Sequence, residues 1–114
     1  MTHPAQILFS DARAPAALSP VDHYAGNETF IRKAIAKQVA LNGAFDIALD
    51  LEDGASVGHE TTQAKLMGEV LASADNRFNR LGVRIHDASH GHWLDDVRCV
   101  LDTAKKSPAY WMIP

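Results

Sequence analysis

Short extended stretches and longer stretches with helical spacing alternate along the chain. The first extended stretch covers residues 21–24 and ends in Ala25-Gly26-Asn27, where glycine allows a tight turn and asparagine is a favourable helix N-cap. Apolar residues then recur at helical spacing over residues 28–41, and Asn42-Gly43 supplies a left-handed stop. The pattern predicts a strand, a turn and a helix in this order.

Strict alternation of apolar and polar positions in residues 45–51 predicts a second strand. Gly54 comes next, followed by a helical stripe over residues 61–74. One side of the strand consists of Phe45, Ile47, Leu49 and Leu51, and the other of Asp46, Ala48, Asp50 and Glu52. The strand therefore has one face for a helix layer and one face that carries charge.

A third unit repeats this order, with a predicted strand over residues 80–86 and a predicted helix over residues 93–104. Ser107-Pro108 breaks that helix, and the pattern of residues 109–113 predicts a fourth strand. Such alternation indicates a parallel sheet with right-handed crossovers, hence an α/β fold. The inward stripe expected for the third helix consists of Trp93, Leu94, Val97, Val100, Leu101 and Ala104.

The charged face of the second strand indicates which α/β architecture to expect. Strands of a doubly wound sheet are covered by helices on both faces, whereas the inward side chains of a (β/α)8 barrel fill its lumen. Active-site groups lie at the carboxyl ends of barrel strands. Asp50 and Glu52 occupy that end of the second strand, and Arg84 and His86 that of the third. The alternative is an ordinary ion pair between an acid and an arginine in the lumen.

Composition narrows the classes of function. The 114 residues are 46% hydrophobic and 22% charged, which suits one ordinary domain. Both signs of charge are scattered and the formal net charge is −3, so we expect no nucleic-acid partner. The single cysteine, Cys99, cannot form an internal disulfide, and no apolar run is long enough to span a bilayer. Because the N-terminus shows no signal-peptide pattern, we expect a cytoplasmic protein with no membrane partner.

Four motifs resemble those of the HpcH/HpaI aldolase and citrate lyase β-subunit family, which also includes malyl-CoA lyases. They are Tyr24-Ala25-Gly26-Asn27-Glu28, Asp50-Leu51-Glu52-Asp53-Gly54, Val83-Arg84-Ile85-His86 and Trp93-Leu94-Asp95-Asp96-Val97. The resemblance extends over residues 21–114, in the family's order and at similar intervals. Ala25 and His86 stand where the family usually has proline and asparagine.

The resemblance implies a divalent-metal-dependent lyase or aldolase that cleaves or forms a carbon–carbon bond through an enolate. Arg84 matches the family's substrate-binding arginine and is the first expected catalytic residue, because its planar fork can hold a carboxylate or keto acid. Glu52, the second, and Asp53 match the family's acidic pair, which would orient Arg84 and metal-bound water. We expect Asp53, His86 and Tyr24 to contact the small-molecule substrate from their strand ends.

The cofactor implied by the resemblance is Mg²⁺ or Mn²⁺, held by a glutamate and an aspartate on strands beyond Pro114, with no metal ligand in this chain. The Arg-Ser pair that helps hold the nucleotide of a coenzyme A thioester is not recognisable, so a free hydroxy acid or keto acid is expected ahead of a thioester. A zinc site at His86, His90 and His92 is a weaker alternative, because their spacing fits neither a helical pair nor a finger.

Chain length limits the architecture, since a whole barrel needs about 250 residues. We expect residues 1–20 to form an N-terminal arm, and residues 21–114 to form the N-terminal half of a (β/α)8 barrel, truncated after its fourth strand. The full-length enzyme would be a homo-oligomer, and the short chain alone would be inactive. The alternative is a small, non-catalytic α/β binding module.

Overall fold

The computed structural model describes residues 20–25, 27–53 and 58–114, without the side chains of residues 22–25. Strands and helices alternate along these residues, and each helix connects two neighbouring parallel strands. The elements are β1 (Val21–Ala25), α1 (Glu28–Ala40), β2 (Asp46–Asp50), α2 (Glu60–Ala72), β3 (Leu81–Arg84), α3 (Trp93–Ala104) and β4 (Trp111–Met112). The predicted α/β class, with four parallel strands and three helices, is confirmed, while the predicted arm at residues 1–20 falls outside the described residues except for Pro20.

All strand pairs of the sheet are parallel, in the order β1-β2-β3-β4. Asp50, the last residue of β2, is the register partner of Arg84, the last residue of β3. The ladder continues one step further, where the N–H of Leu51 donates to the carbonyl oxygen of Arg84 at 2.9 Å. The carboxyl ends of these two strands therefore lie side by side.

The core lies between the sheet and the helices. The four apolar positions of the β2 region and the three of the β3 region are all buried, as the alternation predicts. They are Phe45, Ile47, Leu49, Leu51, Leu81, Val83 and Ile85. Helix α1 adds Ile31 and Ile35, and α2 adds Met67 and Leu71. These positions form one continuous apolar cluster.

The opposite face of the sheet is also covered in part. Ala48 and Asp50 on β2 are both buried, although the alternation places them away from the helix layer. The ring of Tyr110 lies against Gly82, so close that a methyl group added at Gly82 would lie 2.0 Å from a ring carbon. Arg84 covers Asp50 further along the same face. This face thus carries side chains rather than open solvent.

The helix ends follow the local sequence signals. The side chain of Asn27 accepts a hydrogen bond from the backbone N–H of Phe30 at 3.3 Å, as expected for an N-cap. Asn42 and Gly43 adopt positive φ angles of 54° and 73°, which ends α1 where the sequence predicts. Helix α3 ends at Ala104, as the sequence predicts, and the following Lys105 adopts the left-handed conformation. Within the described ranges, no helix combines the length and apolar character that a bilayer crossing requires.

Candidate active site

Arg84 is the centre of a charged cluster at the carboxyl ends of β2 and β3. Its Nε donates to Oδ1 of Asp50 at 2.9 Å, and its Nη2 donates to Oδ2 of the same carboxylate at 2.6 Å. The Asp50 side chain is 2% exposed and that of Arg84 is 21% exposed. Two parallel, charge-assisted hydrogen bonds fix the orientation of the guanidinium. The parallel register explains the contact, because Asp50 and Arg84 are partners on one face of the sheet.

Asp50 also shapes the turn that follows β2. Its Oδ1 accepts hydrogen bonds from the backbone N–H groups of Glu52, at 2.9 Å, and Asp53, at 3.3 Å. An aspartate that binds backbone groups two and three residues ahead stabilises a tight turn. The Asp-Leu-Glu-Asp motif is thus a local folding unit, in which the first aspartate positions the two acids after it.

Those two acids complete the cluster around Arg84. Oδ2 of Asp53 accepts a hydrogen bond from Nη2 of Arg84 at 2.7 Å, and Oε1 of Glu52 lies 3.6 Å from Nη1. The Asp53 side chain is 72% exposed, whereas Asp50 lies beneath the arginine. Three carboxylates surround one guanidinium, which leaves an excess of two negative charges at this strand end. The structure therefore brings together Glu52, Asp53 and Arg84, as the sequence predicts.

The neighbouring carboxylates keep the Arg84 guanidinium charged but leave one of its nitrogens without a hydrogen bond to a described residue. The hydrogen bond to Asp50 raises the pKa of the Arg84 guanidinium above its usual range, and the charge of Asp50 and the contacts with Asp53 and Glu52 add to this, while burial acts in the opposite direction. Nη1 makes no hydrogen bond to a described residue, because Glu52 lies beyond hydrogen-bond distance. The Nη1 side of the fork is thus the part of Arg84 that can hold an anionic group.

His86 joins a different group of residues. Its Nδ1 lies 2.5 Å from Oδ2 of Asp96 on α3, and both residues are buried, at 5% and 2% exposure. The His86 ring stacks on that of His90, with centroids 3.9 Å apart and planes inclined by 13°. No contact between His86 and the Arg84 cluster is described. The expected substrate contact of His86 therefore stays a prediction.

The inward stripe predicted for α3 is confirmed at Val100 and Ala104, but it includes Leu94 wrongly and lacks Asp96, the partner of His86. Its buried residues are Asp96, Val100 and Ala104, whereas Leu94, expected inward, is exposed. Asp96, Val100 and Ala104 are spaced four residues apart, so they lie along one face of the helix. That spacing was present in the sequence. A stripe defined by apolar residues alone omits Asp96, because aspartate is polar.

The other candidate residues have weaker structural support. The backbone of Tyr24 is part of β1, but its side chain is outside the described residues, so its expected substrate contact is untested. Cys99 is half-buried beside α2, with Sγ 3.9 Å from the carbonyl oxygen of Thr61. Among residues 27–53 and 58–114, no three His, Cys, Asp or Glu side chains are grouped so that they could hold a metal ion. The zinc alternative at His86, His90 and His92 thus has no support there.

Comparison with known proteins shows a similarity to a solved structure. No protein-family model matches the chain, and no curated protein matches it significantly. A crystal structure of a citrate lyase from Burkholderia xenovorans LB400 is 52% identical over 88% of this chain, with a TM-score of 0.80. The match covers 31% of that citrate lyase, so this chain spans less than a third of its length. The predicted resemblance to citrate lyases is confirmed.

Proposed function

We propose, from the premise that this chain belongs to the citrate lyase-like family, that its residues form part of a carbon–carbon lyase acting on a hydroxy acid or keto acid. The observation that carries the proposal is the Arg84 cluster, which lies at the carboxyl ends of β2 and β3 in a chain 52% identical to a citrate lyase over 88% of its length. Parallel α/β enzymes place their active sites at such strand ends.

Arg84 is the residue proposed to act on the substrate. Cleaving a carbon–carbon bond next to a carbonyl group leaves negative charge on an enolate oxygen, and a fixed cation stabilises that charge as it develops. Arg84 suits this role because Asp50 holds its Nε and Nη2 in place and its Nη1 makes no hydrogen bond to a described residue. The substrate would bind at Nη1.

The three acids of the cluster have different proposed roles. Asp50, which is buried, orients Arg84 and does not reach the substrate. Asp53 is exposed and shares Nη2 of Arg84, so it can contact a substrate hydroxyl group beside the arginine. Glu52 is partly exposed and faces Nη1 from 3.6 Å, where it would orient a bound water molecule.

A divalent cation, Mg²⁺ or Mn²⁺, is part of this proposal. It would supply stabilisation of the enolate oxygen. The excess of two negative charges around Arg84 repels an anionic substrate, and a divalent cation would offset that repulsion. No group of residues suited to hold a metal ion is present in the described part of the chain, and the carboxylates of the cluster contact Arg84. The metal ligands would therefore come from other strands.

The remaining parts of the proposal concern the assembly. Among the described residues, β1 and β4 each have one neighbour in the sheet, so both outer strands have an unpaired edge. Together with the 31% coverage of the citrate lyase, this supports a (β/α)8 barrel to which the present residues contribute four strands. A cytoplasmic location, a homo-oligomer and a free acid rather than a coenzyme A thioester as substrate are further proposals.

An activity assay with two proteins tests the proposal. A complete lyase that includes these 114 residues should cleave at least one compound from a panel of hydroxy acids, 4-hydroxy-2-keto acids and malyl-type thioesters when Mg²⁺ or Mn²⁺ is present, and EDTA should abolish the activity. The 114-residue chain alone should show no turnover with the same panel. Turnover by the short chain would contradict the half-barrel proposal, and an inactive complete protein would favour the binding module.

A further inference from the structure

The His86–Asp96 pair is a second buried polar contact at the carboxyl end of the sheet. The carboxylate of Asp96 accepts from Nδ1 of His86 at 2.5 Å, and neither side chain is appreciably exposed. Asp96 lies in the first turn of α3, where the positive end of the helix dipole stabilises a carboxylate. His86 lies two positions after Arg84, the last residue of β3.

These contacts determine which nitrogen of His86 carries the proton in the neutral ring. A carboxylate can only accept a hydrogen bond, so Nδ1 is the donor and Nε2 is left with its lone pair. Nε2 makes no hydrogen bond to any described residue. The ring cannot turn freely, because His90 stacks on its face and the backbone N–H of His92 donates to Nδ1 of His90 at 3.1 Å. The geometry is that of a histidine oriented by an acid, with one nitrogen available.

We propose that His86, oriented by Asp96, is the proton-transfer residue of the lyase, with Nε2 as the atom that takes the proton of the substrate hydroxyl group. This inference rests on the function proposed above. An oriented imidazole is well suited to general acid–base chemistry near neutral pH. Among the other side chains described at this end of the sheet, Arg84 stays cationic and Asp50 is buried beneath it. The carboxylates of Glu52 and Asp53 both face the guanidinium, so they are less suited to this task than His86.

The proposed substrate of this step is a β-hydroxy acid. Nε2 of His86 takes the hydroxyl proton, and the O–H electron pair forms the carbonyl group of the first product. The bond between the carbinol carbon and its neighbour breaks, and that electron pair enters an enolate whose oxygen faces Nη1 of Arg84. The proton on Nε2 is then delivered to the enolate carbon, which gives the acid product and restores neutral His86. No oxidant or reductant is required.

Substitution of His86 by asparagine separates proton transfer from structure. The amide N–H of asparagine can still donate to Asp96, so the fold should persist. In a complete lyase that carries these residues, His86→Asn should lower kcat at least 100-fold with less than a threefold change in KM. Asp96→Asn should lower kcat comparably, because an amide can donate to Nδ1 and so favour the wrong tautomer. His59→Asn, at an exposed histidine outside this cluster, is the matched control and should leave kcat unchanged.

Two measurements make the outcomes distinguishable. The pH profile of kcat should lose its acidic limb in His86→Asn, an effect that a merely structural role would not produce. Nitrogen-15 NMR of the His86 ring at alkaline pH should show Nδ1 protonated and Nε2 unprotonated. If the wild-type complete lyase is inactive, the proposed function itself fails. If it is active and His86→Asn retains its kcat and pH profile, or if Nε2 carries the proton, the inference about His86 alone is overturned.

Discussion

Asp50 and Arg84 end two neighbouring parallel strands as register partners, and the guanidinium holds both oxygens of the carboxylate, at 2.9 Å and 2.6 Å. The same carboxylate accepts two backbone N–H groups of the following turn. Asp50 thus connects the strand, the turn and the arginine. A catalytic arginine needs such support, because a group that moves freely loses the advantage of being oriented before the reaction.

This geometry predicts that Asp50 matters more to stability than its exposed neighbour Asp53. Asp50→Asn should reduce the free energy of unfolding by about 3 kcal/mol, since it leaves a partly buried Arg84 without its main partner. Asp53→Asn should cost less than about 1 kcal/mol, because its side chain is largely in solvent. Urea denaturation of the 114-residue chain measures both values. Equal losses would show that the bidentate contact does not anchor the cluster.

Arg84→Lys tests the catalytic role of the same residue. Lysine keeps the positive charge but cannot contact Asp50 with two parallel donors and also present a third to the substrate. In a complete lyase, kcat/KM should fall roughly 100-fold or more, as expected when one oriented donor to a developing oxyanion is lost. Cys99→Ser, at a half-buried position beside Thr61 of α2, should leave kcat/KM nearly unchanged. Wild-type activity in Arg84→Lys would reduce Arg84 to a structural ion pair.

Much of the fold could be predicted because hydrophobic alternation and cap residues act locally. The alternation in residues 45–51 identified both faces of β2, and Asn42-Gly43 marked the end of α1. Two features of the sequence indicate that Asp50 and Arg84 lie together. The alternation places both residues on the same face of the sheet, and their strands are expected to be neighbours. Asp96 shares the four-residue spacing of the buried face of α3, but helical spacing does not indicate the hydrogen bond to His86, which lies ten residues earlier across a loop.

The contact of Tyr110 with Gly82 could not be predicted from the sequence either, since it depends on how β4 aligns with β3. The carbonyl oxygen of Tyr110 accepts from the N–H of Val83 at 3.1 Å, which fixes the tyrosine backbone beside the strand. Its ring then occupies the space that a side chain at Gly82 would need. A glycine within a strand often marks such close approach, but the pattern cannot identify the group that approaches.

Gly82→Ala should therefore destabilise the chain by about 1 to 3 kcal/mol through overpacking, because its methyl group would lie 2.0 Å from the Tyr110 ring. Gly91→Ala is the matched control, since a methyl group there would meet no atom within 4 Å. Thermal denaturation, monitored by circular dichroism, compares the stability of the Gly82→Ala and Gly91→Ala variants. Combining Gly82→Ala with Tyr110→Ala should cost less than the two single losses added together, and strict additivity would contradict the proposed clash.

Substitutions on the two faces of β2 should differ sharply in their effect on stability. Leu49 is fully buried in the core, so Leu49→Asp places an unpaired carboxylate there and should unfold the chain. Asp46 lies on the opposite face and contacts Arg80 at 2.5 Å, with both side chains partly in solvent. Asp46→Asn should cost about 1 kcal/mol or less. Far-ultraviolet circular dichroism distinguishes these results, and a folded Leu49→Asp chain would mean that the register is wrong by one residue.

Tyr110 makes the stability depend on pH in the alkaline range. Its hydroxyl group is buried and has no hydrogen-bond partner among the described residues. Burial raises the pKa of the Tyr110 hydroxyl, and the charge of Asp46 raises it further. The folded state therefore favours the neutral phenol more than the unfolded state does, where the pKa is about 10.

The resulting contribution to stability is present below about pH 10 and is lost as the pH rises through the higher pKa of the folded state. Tyr110→Phe removes this dependence and also removes a buried group without a partner, so at pH 7 the variant should be as stable as the wild type or slightly more stable. Urea denaturation at pH 7 and at pH 10.5 gives the four free energies needed. The wild type should lose more stability between these pH values than Tyr110→Phe does. Equal losses would mean that Tyr110 titrates in the folded state as it does in the unfolded chain, and that its hydroxyl group is not shielded from water.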